Sequence, residues 1–202
     1  MVSEKKRIYH LYRRVLFPHC SLTVTTYPGG AAGMKKGDVV LVRPIRFAFD
    51  ILLPWKKIAT IAEVTDIAAS ENAETIVFKG ISRVRIGTIK GHKYGEYAAI
   101  GDGGCVNSDH YVDFLRKKSQ ELIFLINIEE SDRLIHLLNY LSDLNQLADF
   151  IANYFVINFR RRYGLLLERD LCKRAEALMV ILDDLINKIK KKIQETNEKT
   201  GS

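Results

Sequence analysis

From Asp109 to Glu195 the chain has no proline and a single glycine, Gly164, whereas all four prolines and every other glycine except Gly201 precede that stretch. This asymmetry constrains the fold more than any motif. A run of that length without a helix breaker is built for helices, and a segment punctuated every few residues is built for short strands and turns. Within the second part, "LIHLLNYL" and "LNQLADFIANYF" carry apolar residues at three- and four-residue spacing. The spacing of Leu171, Ala175, Leu178, Leu182, Leu185, Ile189 and Ile193 predicts one long amphipathic helix. Asp170 sits at its N-cap, and Lys188 and Lys190–Lys192 suit the negative end of its dipole. The tail "TNEKTGS" reads as solvated and frayed.

Up to about Ser108 the pattern is of strands. "RVLFPHCSLTV" leads into the glycine-rich loop "TYPGGAAGMKKGD", followed by the β-branched runs "VVLVRPI", "KIATIAEV" and "ETIVFKGISRVRIGTI", then "GEYAAI" and the turn "GDGG". The formal charge of +7 is not evenly spread. Residues 1–112 hold 16 Lys/Arg against 10 Asp/Glu, and the remainder holds 15 against 14. The basic excess thus lies in the strand-rich half, which permits an anionic partner without selecting one. Cys20, Cys105 and Cys172 are odd in number and widely spaced, so reduced, mostly buried thiols are expected. The N-terminus has no apolar signal region and charges interrupt every long apolar run. A cytoplasmic protein without membrane contact is expected.

The residues for catalysis are not assembled in the sequence. No Gly-Lys dipeptide exists to start a phosphate loop, and "MVILDD" lies inside the final heptad pattern, as a helix with two aspartates. His19 and Cys20 are neighbours, which point to opposite sides of a strand, and His92, His110 and His136 have no second His or Cys at i+2 or i+4. No nucleophile elbow is present. The expectation is a non-enzyme with no catalytic residue, no cofactor and no metal.

Two surface features remain. One is basic: Arg83 and Arg85, with Arg43 and Arg46, Lys56 and Lys57, and the run Arg160–Arg162. Such charges either coat the outer wall of a sheet or grip a phosphate backbone. Base-stacking aromatics do not interleave them, since Phe78 falls on the opposite face from Arg83 and Arg85. The other feature is "RFAFDILLPWKK". As a strand it would align Phe47, Phe49, Ile51, Leu53 and Trp55 on one side, as core. As a loop between Pro44 and Pro54 it would present Phe47, Phe49 and Trp55 as peptide contacts.

Several stretches resemble the N-terminal domain of Lon proteases, in order. They are "VLFPHCSLTV" at 15–24, "IATIAEV" at 58–64, Gly80-Ile81-Ser82-Arg83-Val84-Arg85-Ile86, "LADFIANYF" at 147–155 and "RDLCKRAEALMVILDDLINKI". Departures are a Tyr9-His10-Leu11 segment in place of the family's Leu-Pro-Leu, and a stretch at 27–38 too short for the family's first helix. Lys173 also stands where an acid completes the capping box. The resemblance implies an α+β chain: a β-rich, PUA-like Lon-type sheet domain at 8–112, a helical bundle at 113–195 with a long final helix, and a frayed tail at 196–202. It implies a stand-alone substrate-binding domain that recognises unfolded or adaptor polypeptides. A separate protease or ATPase is a further implied partner. The PUA-like relation keeps an RNA-binding alternative through Arg83, Arg85, Arg43 and Arg46.

Overall fold

The computed structural model describes residues 5–31, 33–52, 57–91, 93–126 and 131–200. Six strands build the first part: β1 (Lys5–Tyr12), β2 (Ser21–Thr26), β3 (Val39–Ile45), β4 (Ile58–Ala69), β5 (Glu74–Lys90) and β6 (Tyr94–Ala99). They form a mixed sheet in the order β2-β5-β4-β3-β1-β6, and β6 also pairs with β5, so the sheet closes on itself. The closure is possible because β5 is 17 residues long. Its first half pairs with β2 (Val24 opposite Ile76) and its second half with β6 (Ile86 opposite Tyr97). β3 and β1 run parallel, with Tyr12 opposite Ile45, so both strands end at the same edge. That detail places the site.

β3 reads as a continuous β-branched run because both of its faces are covered. Val40 and Val42 join one core with Leu11, Leu22, Val24, Val64, Ile76 and Phe78, while Leu41 joins a second with Ile8, Ala59, Ile61, Val84 and Ile86. Burying each such side chain contributes about 1.5–3 kcal/mol. Gly80 sits where the β4–β5 register slips past Ile81. A Cβ there would collide with the Phe17 carbonyl oxygen, and Gly80 exchanges backbone hydrogen bonds with His19 and Cys20. The apolar stretch Val15-Leu16-Phe17 is therefore not a strand: it is irregular backbone, fully buried, wedged against the bulge.

Five helices follow: α1 (Ser108–Ile126), α2 (Ser131–Tyr140), α3 (Leu144–Phe155), α4 (Phe159–Leu167) and α5 (Leu171–Thr200). The chain divides into two compact units, one of residues up to Gly101 plus Ile157–Arg169, the other of Asp102–Val156 plus the chain from Asp170. The first boundary therefore falls after Gly101 rather than at residue 112, and α4 belongs to the β-rich unit. Its reasons are specific. Arg162 donates to the Val15 carbonyl at 2.9 Å and lies 5.5 Å from the Phe17 ring centroid, and Arg83 donates to the Leu166 carbonyl at 3.3 Å.

In the helical unit α1 packs on α2, α3 and α5. The Asp170 carboxylate accepts from the Lys173 N–H at 3.1 Å, as expected of the cap. Leu171, Ala175, Leu178 and Leu182 are buried, as their spacing predicts, whereas Ile193 is exposed. α5 continues to Thr200, so the tail expected to fray from 196 is helical as far as it is described. The thiol expectation is also corrected. Cys105, just before α1, and Cys172, in the first turn of α5, form a disulfide across 67 residues, while Cys20 is a free, buried thiol. Among the described residues no helix is long and apolar enough to cross a membrane.

Candidate functional site

The site grows from the shared edge of β1 and β3. Beyond Ile45 the chain enters a 3-10 turn at Ala48–Leu52. The turn is closed by Asp50, which is 1% exposed and whose Oδ2 accepts from the backbone N–H groups of Arg46 (2.7 Å) and Phe47 (3.2 Å). Arg43, equally buried, reaches from β3 into the turn and donates to the Asp50 carbonyl at 2.9 Å and the Ile51 carbonyl at 3.2 Å. Burial pushes the Arg43 pKa down, and the fields of Tyr163 on α4 and of Asp50 partly restore it. Burial likewise raises the Tyr163 pKa, against the lowering effect of Arg43. Charge-assisted hydrogen bonds of this kind fix a loop more firmly than neutral ones.

What the fixed turn holds out is apolar. Phe47 and Phe49 are 42% and 58% exposed, and Leu52 67%. The two rings stack with centroids 5.3 Å apart and planes at 6°, and the Arg46 guanidinium lies 4.8 Å from the Phe47 centroid. Rings held so, at the cost of staying in water, form a preorganised patch. Beside it is a cleft of about 360 Å³ lined by Arg13, Arg46, Asn158, Phe159 and Arg160. The parallel register explains the pairing of the first two. Arg13 follows β1, Arg46 follows β3, and the Arg13 N–H donates to the Ile45 carbonyl at 2.7 Å. Arg13 turns there with φ 52, the left-handed region that non-glycine residues rarely adopt. Asn158 caps α4 by accepting from the Arg161 N–H, and Phe159 stacks on Tyr163 with centroids 5.9 Å apart.

The sequence candidates fare unequally. Phe47 and Phe49 stand together on the exposed turn, whereas Trp55, like Lys56, lies outside the described residues. The expected alternation of Phe47, Phe49 and Ile51 along a strand is replaced by the 3-10 turn, in which Asp50 takes the buried place. Of the four arginines named for nucleic acid, Arg43 and Arg83 are each 1% exposed and donate to backbone carbonyls. They cannot reach a phosphate. Arg83, expected on the sheet's outer side, is buried and finds its acceptor on α4. Arg85 is exposed and Arg46 belongs to the cleft. Arg13 and Phe159 were missed, and Arg160 appeared only within a basic run. The signal for Arg13 was register, which a sequence does not print.

Among the described residues no group of three His, Cys, Asp or Glu could hold a metal ion. A family model described as the ATP-dependent protease La (LON) substrate-binding domain matches residues 35–184, roughly three quarters of the chain. The stretch 15–24 that resembles the family lies before that match. No curated protein matches the sequence. Two Lon N-terminal domains are among the solved structures that are similar. The N-terminal domain of Mycobacterium avium complex Lon protease has 15% identity and a TM-score of 0.71, over 90% of this chain and 99% of that one. A Lon N-terminal domain protein from Xanthomonas campestris has 15% identity and a TM-score of 0.56, over 88% and 98%. At such identity these two speak for the fold alone.

Proposed function

The chain belongs to the family of LON substrate-binding domains, and from that premise we propose that it is a non-catalytic polypeptide-binding protein whose contact surface is the turn carrying Phe47, Phe49 and Leu52. One observation supports the reading above the others: the exposed, stacked Phe47–Phe49 pair is held by the buried Arg43 and Asp50. A core would have drawn the rings inward. Here the charged groups are inside and the rings outside. Aromatic side chains already ordered before binding lose little entropy when a partner covers them. The clients suited to such a patch are exposed apolar segments of unfolded or adaptor polypeptides in the cytoplasm, with delivery to a separate protease or ATPase as the downstream step.

The test is binding of a fluorescently labelled, permanently unfolded polypeptide to the full chain, followed by anisotropy. Replacing Phe47 and Phe49 together with Ser should weaken binding by about thirtyfold, which is about 2 kcal/mol, as for paired aromatic anchors. An unchanged affinity in a folded double variant sinks this surface.

A further inference from the structure

The cleft next to the aromatic turn carries three guanidinium groups and no acid. Among the described residues the side chains of Arg13, Arg46 and Arg160 make no hydrogen bond to, and no ion pair with, any carboxylate, although Arg46 lies over Phe47. Elsewhere in the same unit four arginines donate to backbone carbonyls: Arg14 to Thr23, Arg43 to Asp50 and Ile51, Arg83 to Leu166 and Arg162 to Val15. Three uncompensated cations lining one cleft repel one another, and the arrangement is relieved by an anion. Guanidinium forks match a planar carboxylate in two-point hydrogen bonds.

We infer that this cleft is a carboxylate subsite, which takes an Asp or Glu side chain of a bound polypeptide while a neighbouring apolar side chain rests on Phe47 and Phe49. The inference rests on the polypeptide-binding reading and adds the chemistry of the client. Arg46 links the two halves of the surface, because the same guanidinium lines the cleft and covers the Phe47 ring. The geometry favours a peptide over RNA. Arg43 and Arg83, two of the four arginines an RNA reading would use, are buried, and Phe47 already carries Phe49 and Arg46 against it. A cleft of about 360 Å³ suits one or two side chains.

The experiment uses the full chain and four labelled probes. These are a short peptide with a Phe-Leu pair flanked by glutamates, the same peptide with Gln for Glu, the same peptide with phosphoserine for Glu, and a single-stranded RNA of similar length. The glutamate peptide should bind about tenfold tighter than the glutamine peptide at moderate salt, and the ratio should shrink as salt is raised. Arg13→Gln and Arg160→Gln, both at exposed positions and checked for an unaltered melting temperature, should bring that ratio close to one. Equal binding of the glutamate and glutamine peptides by the native chain overturns the subsite while leaving the polypeptide reading intact. Failure of both peptides to bind overturns the two together. Phosphoserine binding much tighter than glutamate assigns the cleft to phosphate instead. RNA binding tighter than any peptide, and lost in the arginine variants, overturns the polypeptide client altogether.

Discussion

Arg43 and Arg174 are both buried, at 1% and 0% exposure, yet they support opposite things. In the helical unit Arg174 donates to Asp102 Oδ1 at 3.2 Å and to Asn145 Oδ1 at 2.6 Å, and lies 4.0 Å from the fully buried Asp149. Around it α3 and α5 bury Leu147, Ile151, Ala175 and Leu178. In the β-rich unit Arg43 and Asp50 hold a turn whose aromatic side chains remain in water. A buried ion network by itself therefore does not mark a functional site. What it holds in place does: core in one unit, exposed rings in the other.

The largest expected effect breaks the helical network. Arg174→Met removes the guanidinium that donates to Asp102 and Asn145 and lies 4.0 Å from the buried Asp149 carboxylate, which should cost about 3–5 kcal/mol. Adding Asp149→Leu should recover part of the loss, since an apolar pair at these two positions removes the charge that faced the guanidinium. Urea unfolding of the two variants measures both effects. A double variant no better than the single one would show that Arg174 matters through Asp102 and Asn145 rather than through Asp149.

Asp50→Ala comes next. It leaves the Arg46 and Phe47 N–H groups without their acceptor and Arg43 with one charge fewer to face, at an expected cost of about 2–3 kcal/mol. Unlike Arg174→Met, it should also weaken polypeptide binding, because the rings lose their platform. Comparable destabilisation with full binding would separate the turn from the site. Third in size, Phe47→Ser with Phe49→Ser should change stability by less than about 1 kcal/mol, because the rings are exposed already. A loss of several kcal/mol would return the pair to the core and remove the difference between the units.

How much of this was legible beforehand follows from the range of the interactions involved. The switch from strands to helices near Asp109 and the α5 cap at Asp170 are local, so spacing and residue type revealed them. The Lon-type motifs placed the sheet and the helices in order. Arg83 was misread as a bare outer charge because its acceptor, Leu166, lies 83 residues away. The 3-10 turn was hidden because Phe47, Phe49 and Ile51 alternate as a strand would, and only the acceptor role of Asp50 breaks that reading. Cys105 and Cys172 carry no local sign of pairing across their 67-residue separation. α4 has the composition of any short helix, and nothing in it says which unit it covers. Long-range partners decide burial, and burial decided which arginines are free to bind.

The smallest expected effect concerns an anchor at the surface rather than in the interior. Glu74 opens β5 and accepts from the Ala31 N–H at 2.7 Å, tying down the glycine-rich loop between β2 and β3. That bond, with a second from the Gly29 backbone, holds the Glu74 pKa below its usual 4.5, against a small opposing effect of desolvation. A lowered carboxyl pKa means that the folded state favours the ionised form. The stabilisation is present at pH above the usual value and is lost as pH falls through the folded one. Glu74→Gln keeps an acceptor oxygen but no charge. The difference in urea midpoint between native chain and variant should therefore be present near neutral pH and should shrink as the solution is acidified below about pH 4.5. Arg43 stays charged across that range, so the aromatic turn contributes no such slope through its guanidinium. A midpoint difference that stays constant on acidification would mean that the loop is held by the shape of the Glu74 side chain rather than by its charge.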